Sequence, residues 1–185
     1  MTDILERASE DVAYASGVVS NIGAFVRYSA SAPELVDANE LLRDTLALAT
    51  SELDADDVVC RLDLTTNLPR APIDKTELEQ VMLNIVRNGI EAMASMRPSE
   101  RLLTMRTGLA SEHEVEIAIT DSGLGLSFEA LAKMFDPFFS TKPNHLGMGL
   151  TISRTLVEAH RGRLWATQNP NGGATFRIAL PIELL

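Results

Sequence analysis

The chain has 185 residues, 45% of them hydrophobic, and a net charge of −10. That is enough apolar side chain for one ordinary core with a modest extension, and no stretch approaches the roughly 20 apolar residues of a membrane span. The acidic balance excludes broad nucleic-acid or anionic-membrane binding, which needs a basic surface, so any phosphate must be handled locally by backbone amides, a metal and a few basic side chains. Cys60 stands alone, which excludes an intrachain disulfide, and the mixed acidic and apolar N-terminus lacks the order of a secretory signal. Both features suit the cytoplasm.

Residues 2–28 read as one long helix. Leu5, Ala8, Val12, Ala15, Val19, Ile22 and Val26 alternate spacings of 3 and 4, the seam of a helical bundle, and Ile4, Val18 and Phe25 widen the stripe. Such a helix is roughly 40 Å long at 1.5 Å per residue. Alone it would leave its stripe in water, so it needs partner helices, from a second copy of the chain as a homodimer or from a segment outside this sequence. SASAP breaks the helix, and residues 31–36 read as a linker.

From residue 37 the pattern is that of a separate unit running to 185. Asp37 with Glu40 resembles a capping box that opens a helix through about Leu53. VVCRLDL reads as a strand with Cys60 at a buried position, and PRAPI as a short extended segment. Asp74 with Glu77 opens a second helix, expected to run to about Met96 and to stop before Pro98. RLLTMRTGL and EVEIAIT read as consecutive strands, and residues 127–146 as an irregular segment. A helix over about 149–160 and two strands, RLWATQ and ATFRIALP, joined by the turn NPNGG, complete the chain. Mixed strands and helices, with adjacent strands joined as hairpins, predict an α+β two-layer sandwich.

Three segments carry candidate chemistry. Asn84, Asn88 and Glu91 fall at i, i+4 and i+7 and share one helix face, while Met82, Ile85, Gly89, Ile90 and Met93 occupy the opposite arc. Amide oxygens suit a hard cation such as Mg²⁺, and amide nitrogens can donate to phosphate; the same face is equally a solvated polar stripe. In DSGLGL, Asp121 ends an apolar strand, where a carboxylate needs a donor such as an exocyclic amine of adenine. Gly123 and Gly125 let the backbone turn and approach a ligand. A plain strand-ending turn is the alternative. HLGMGLTIS opens a helix with small residues, leaving N–H groups for phosphates. It is neither a P-loop nor a dinucleotide fingerprint. Between the glycine segments lies FDPFFSTK. Phe135, Phe138 and Phe139 suit a hydrophobic latch and Lys142 a swinging positive charge, or together a satellite cluster beside a solvated lysine.

The order NIVRNGIEAM, DSGLGL, FDPFFSTK, GMGL and GGATF resembles the asparagine box, first glycine box, phenylalanine box, second glycine box and terminal strand motif of sensor histidine kinase ATP-binding domains. The wording FDPFFSTKP and ISRTLVEAHRGRLWA is nearest the oxygen-sensing and nitrogen-regulation kinases. The resemblance covers residues 35–183 and implies the Bergerat-type fold shared with gyrase, mismatch-repair and chaperone ATPases. It implies ATP and Mg²⁺ as ligands. It further implies that Asn88 binds Mg²⁺, with Asn84 assisting at the metal or phosphates. Asp121 would bond the adenine amino group, supported through water by Thr175. Gly123, Gly125 and Leu126 would shape the purine pocket, residues 127–146 form a lid, and Gly147, Gly149 and Leu150 offer amides to the phosphates. Lys142 would meet the γ-phosphate. Hydrolysing relatives carry glutamate at the position of Asn84; an amide cannot take a proton at neutral pH, which favours transfer to a protein nucleophile.

Two residues depart from the pattern, His145 and Arg161, each where the family commonly has glycine. A larger departure is that His113, His145 and His160 all lie outside a His-Glu-hydrophobic-x-x-Pro box. Residues 2–28 resemble the second helix of a dimerisation hairpin. The phosphoacceptor histidine helix is therefore expected from a segment absent here, through truncation or partnership in trans, with a response regulator receiver domain as the onward acceptor. A non-catalytic adaptor that docks response regulators and an ATP-driven clamp are the rival readings.

Overall fold

The computed structural model describes residues 33–142 and 146–182. The expected helix at 2–28 and His145 lie outside the described residues. The chain enters through a short strand, β1 (Glu34–Val36), where a linker was expected; it pairs antiparallel with β3 (Ala71–Ile73). Val36, Ala71 and Ile73 are buried there, so local apolar pairing turns the end of the linker into structure.

The two expected capped helices form. In α1 (Ala38–Ala55) the Asp37 carboxylate accepts the Asn39 N–H at 2.8 Å, and in α2 (Lys75–Ala92) Asp74 accepts the Glu77 N–H at 3.1 Å. Helix α2 ends about one turn before the expected Met96. The last turn closes instead with the Met93 and Ala94 N–H groups on the Ile90 and Glu91 carbonyls, and beyond it the Arg101 guanidinium collects the carbonyls of Ala94, Met96 and Asp56.

The main sheet has five strands in the order β2 (Val59–Asp63), β4 (Leu102–Ser111), β5 (Glu114–Asp121), β7 (Ala174–Pro181) and β6 (Arg163–Gln168). β4 with β5 and β6 with β7 are the expected hairpins. β2 instead runs parallel to β4, because the chain between them crosses over through α2 and re-enters the sheet in the same direction. Helices α1, α2 and α4 (Gly149–Ala159) pack as a second layer on one face. Leu41, Leu78, Met82 and Ile85 from the helices meet Leu103, Met105, Ile117 and Ile178 from the sheet, all at most 1% exposed. The architecture is the expected α+β two-layer sandwich. β2 lies at its margin, so Val59 and Leu62 reach water and Cys60 is half-buried, where full burial was expected. Burial still pushes the Cys60 thiol up to about 11.

The end of α4 is tied to the start of α2 by His160. Its Nε2 accepts the Asp74 N–H at 2.9 Å while its Nδ1–H donates to the Leu156 carbonyl at 2.8 Å. Arg161 follows in the left-handed region at φ +58°, so the turn that glycine would make is kept at some conformational cost. Among the described residues no helix is long and apolar enough to cross a membrane.

Candidate functional site

The asparagine face of α2 meets the start of α4 across a cavity of about 490 Å³. Helical period alone puts Asn84, Asn88 and Glu91 on this side, and all three line the cavity. The opposite arc (Met82, Ile85, Gly89, Ile90 and Met93) is buried as expected. Gly89 has a further use: a Cβ there would stand 2.9 Å from Leu103 and 3.4 Å from the Asp121 Cβ, so its absence lets α2 settle on β5.

Asp121 ends β5 inside the same cavity and is 5% exposed. Its Oδ1 accepts the Gly123 N–H at 2.8 Å and its Oδ2 accepts the Ala174 N–H at 3.3 Å. Burial raises its pKa above the ordinary carboxylate value; the two N–H groups and the nearby Lys142 charge oppose that shift without cancelling it. A carboxylate kept in so dry a place, with acceptor capacity left over, is suited to a donor brought by a ligand.

The first glycine segment is shaped by contacts with strands and helix ends far away in sequence. Gly123 lies at the root of the loop, where a Cβ would come 2.7 Å from the Ala92 carbonyl; it does not line the cavity itself. Gly125 does, with φ +80°, and a Cβ at that position would run into the amide of Gln168. Gln168, which sequence reasoning passed over, accepts the Leu126 N–H through Oε1 at 2.5 Å and pins the loop to the end of β6. Leu126 lines the cavity beside Gly125.

At the second glycine segment, Gly147 (φ +68°) passes so close to the Phe139 carbonyl that a Cβ would collide with it. Gly149 starts α4 directly against Asn84, 2.7 Å from its Oδ1 to an ideal Cβ. Gly147, Gly149 and Leu150 all line the cavity. The described residues of the segment expected as a lid, 127–142 and 146, hold more regular structure than the composition suggested. Ser127 caps a short helix, α3 (Phe128–Lys133), by accepting the Ala130 N–H at 3.0 Å.

Of the three lid phenylalanines, Phe135 packs on the core beneath the Arg154 guanidinium, 4.4 Å away, and Phe139 lines the cavity. Phe138 does not belong to a latch. It is 71% exposed and sits at φ +65°, because the tight turn after Asp136 directs it to solvent. Lys142 reaches across the cavity to the Glu91 carboxylate, and its ammonium lies 3.4 Å from Asn88 Oδ1.

Thr175 stands apart from the expected set. Ala174 and Phe176 line the cavity, so alternation along β7 turns Thr175 to the other face of the sheet. There its hydroxyl lies 2.9 Å from that of Thr120 and donates to Asn169 Oδ1 at 2.8 Å. The backbone N–H of Ala174, one residue earlier, is the group from this strand that meets Asp121.

A cavity of this size between an amide-bearing helix and two glycine turns, with one dry carboxylate, has the form of a small-molecule site in an α+β sandwich. The chain belongs to the histidine kinase-, DNA gyrase B- and HSP90-like ATPase family, whose model matches residues 73–184. It is 37% identical over 145 residues to the sensor protein TdiS of Thauera aromatica, covering 78% of this chain and 26% of that protein. It is 33% identical over 177 residues to the sensor protein FixL of Bradyrhizobium diazoefficiens, covering 96% of this chain and 35% of that one. The chain thus spans between a quarter and about a third of the length of these relatives. Among solved structures, the catalytic domain of histidine kinase ThkA matches with a TM-score of 0.72 at 26% identity, covering 82% of this chain and 97% of that one.

Proposed function

We propose that this chain is the Mg-ATP-binding catalytic domain of a cytoplasmic two-component sensor histidine kinase. It delivers the γ-phosphate to a histidine outside this sequence, from which a response regulator receiver domain takes it. The observation that carries the reading is that Asp121 and the Asn84–Asn88 face line one cavity, a dry acceptor for a purine amine in the same space as neutral acceptors for a cation. The donor set fits magnesium: the Asn88 oxygen already faces a cation, the Lys142 ammonium, with the Glu91 carboxylate beside it. Asn88 would hold the metal, whose bound charge neutralises the phosphates.

The protein's own part is positioning. Asp121 orients the base, and Gln168 holds the Gly125–Leu126 turn that lines the purine end. The first N–H groups of α4, reached past Gly147 and Gly149, bind phosphate oxygens. Lys142 exchanges Glu91 for the γ-phosphate. With an amide at position 84, water in the site lacks a general base there, which favours transfer over hydrolysis. We further propose that residues 2–28 pair with the segment that carries the acceptor histidine and with a second copy of the chain.

The test is calorimetric titration of the chain with ATP, with and without Mg²⁺, followed by incubation with labelled ATP and a hairpin fragment bearing a histidine box. The expected result is Mg-dependent binding, no acid-labile phosphate on the chain alone, and label on the hairpin. Absence of ATP binding would favour the adaptor reading, and robust steady-state hydrolysis the ATP-driven clamp.

A further inference from the structure

Asn84 lines the cavity with an amide that can face it in two ways: oxygen first, offering an acceptor, or nitrogen first, offering donors. The two orientations serve different ligands. An acceptor suits a metal ion or the water molecules around it; donors suit phosphate oxygens. Two groups on α4 bear on the choice. Ser153 is 2% exposed and lies one turn after Gly149, so both face α2. The Asn84 Nδ2 donates to Ser153 Oγ at 3.0 Å. The Asn84 oxygen is turned toward Gly149, at the start of α4. The first N–H groups of a helix lack partners within it and carry the positive end of its dipole, so an amide oxygen is favoured there and an amide nitrogen is repelled.

We propose that Ser153 is a positioning residue that holds the Asn84 amide oxygen-first toward the cavity, committing Asn84 to the metal's hydration shell and not to phosphate oxygens. The inference rests on the Mg-ATP reading and deepens it. Ser153 touches no ligand; it acts only through Asn84. The glycine at 149 completes the arrangement, because a methyl group there would press on the Asn84 oxygen and drive the amide off its serine.

The experiment is a Mg²⁺ titration at fixed ATP, read by calorimetry, on the wild-type chain, Ser153→Ala, Asn84→Ala and the double variant, with ATP in excess EDTA as the metal-free arm. Ser153→Ala should raise the Mg²⁺ concentration at half-saturation about three- to tenfold, the size of one neutral hydrogen bond, and leave metal-free binding unchanged. In the Asn84→Ala background there is no amide to orient, so removing the serine should then leave the Mg²⁺ requirement unmoved. In the nucleotide-free chain, the Asn84 side-chain NH₂ should exchange slowly with solvent in the wild type and fast in Ser153→Ala; this holds independently of any effect on folding, which thermal unfolding monitors.

Equal loss of metal-free and Mg-dependent binding overturns the inference, as does a serine effect that persists in the Asn84→Ala background. An unaltered Mg²⁺ requirement in Ser153→Ala, with the wild type binding normally, overturns it alone. Failure of the wild type to bind nucleotide at all removes the Mg-ATP reading and the inference with it.

Discussion

Replacing Asp121 with asparagine separates binding from folding at a single group. In the wild type the carboxylate is 5% exposed, and its burial costs enough to raise its pKa even though two N–H groups donate to it at 2.8 and 3.3 Å. An amide keeps an acceptor for Gly123 but loses the charge. A hydrogen bond to a charged group is worth about 1.5–3 kcal/mol. At about 1.4 kcal/mol per tenfold, Asp121→Asn should weaken Mg-ATP binding roughly 10- to 150-fold. Folding should respond differently. Removing a desolvated charge recovers about 1.4 kcal/mol for each tenfold increase in proton affinity, while the weaker of the two N–H contacts forfeits a comparable amount. The unliganded variant should therefore unfold within about 1 kcal/mol of the wild type at neutral pH.

The pH dependence has a definite sign. The folded wild type binds more protons than the unfolded chain between the ordinary carboxylate pKa and the raised one. Its stability from this group therefore falls as pH rises through that window, and Asp121→Asn lacks the slope. Calorimetry for ATP and urea unfolding at several pH values read the two halves. Unchanged ATP affinity would remove Asp121 from the purine site, and a large loss of stability at neutral pH would make it a structural residue instead.

Three further outcomes follow from other contacts. His160→Ala leaves the Asp74 N–H without its partner and the Leu156 carbonyl with only the residue-160 backbone N–H at 3.3 Å, so thermal and urea unfolding should report a loss of about 1–3 kcal/mol. A loss below about 1 kcal/mol would mean that the link between α4 and α2 is dispensable. Lys142→Ala removes a partly exposed ion pair worth less than about 1 kcal/mol, so unfolding should hardly change. Its affinity for ATP should fall more than for ADP, and equal losses for both would place the lysine away from the γ-phosphate. The Cys60 thiol, pushed up to about 11, should hold roughly a thousandth of its population as thiolate at pH 8. Labelling with a disulfide reagent should then be far slower in the native chain than in urea; comparable rates would contradict the burial of that edge position.

Much of the site could be read locally. The amide face needs only the helical period, and Asp121 only a carboxylate placed at the end of an apolar strand; both arose without reference to distant residues. Capping residues likewise announced the starts of α1 and α2, because a cap acts within three residues of itself. The ordered set of motifs then carried the family and the fold.

The remaining features belong to contacts between distant segments, which leave no periodic trace. Gln168 reaches Leu126 across 42 residues and Ser153 reaches Asn84 across 69, and nothing in either neighbourhood marks a polar side chain for that duty. Thr175 was singled out from its motif, yet strand register turns it away and brings the Ala174 N–H to Asp121. β2 was legible as a strand, but its parallel partner and its edge position were not, since only the crossover through α2 decides the direction in which it pairs. Local chemistry thus marked the candidate residues; packing of the helix layer on the sheet decided which of their atoms face the cavity, because orientation depends on neighbours brought together only by the fold.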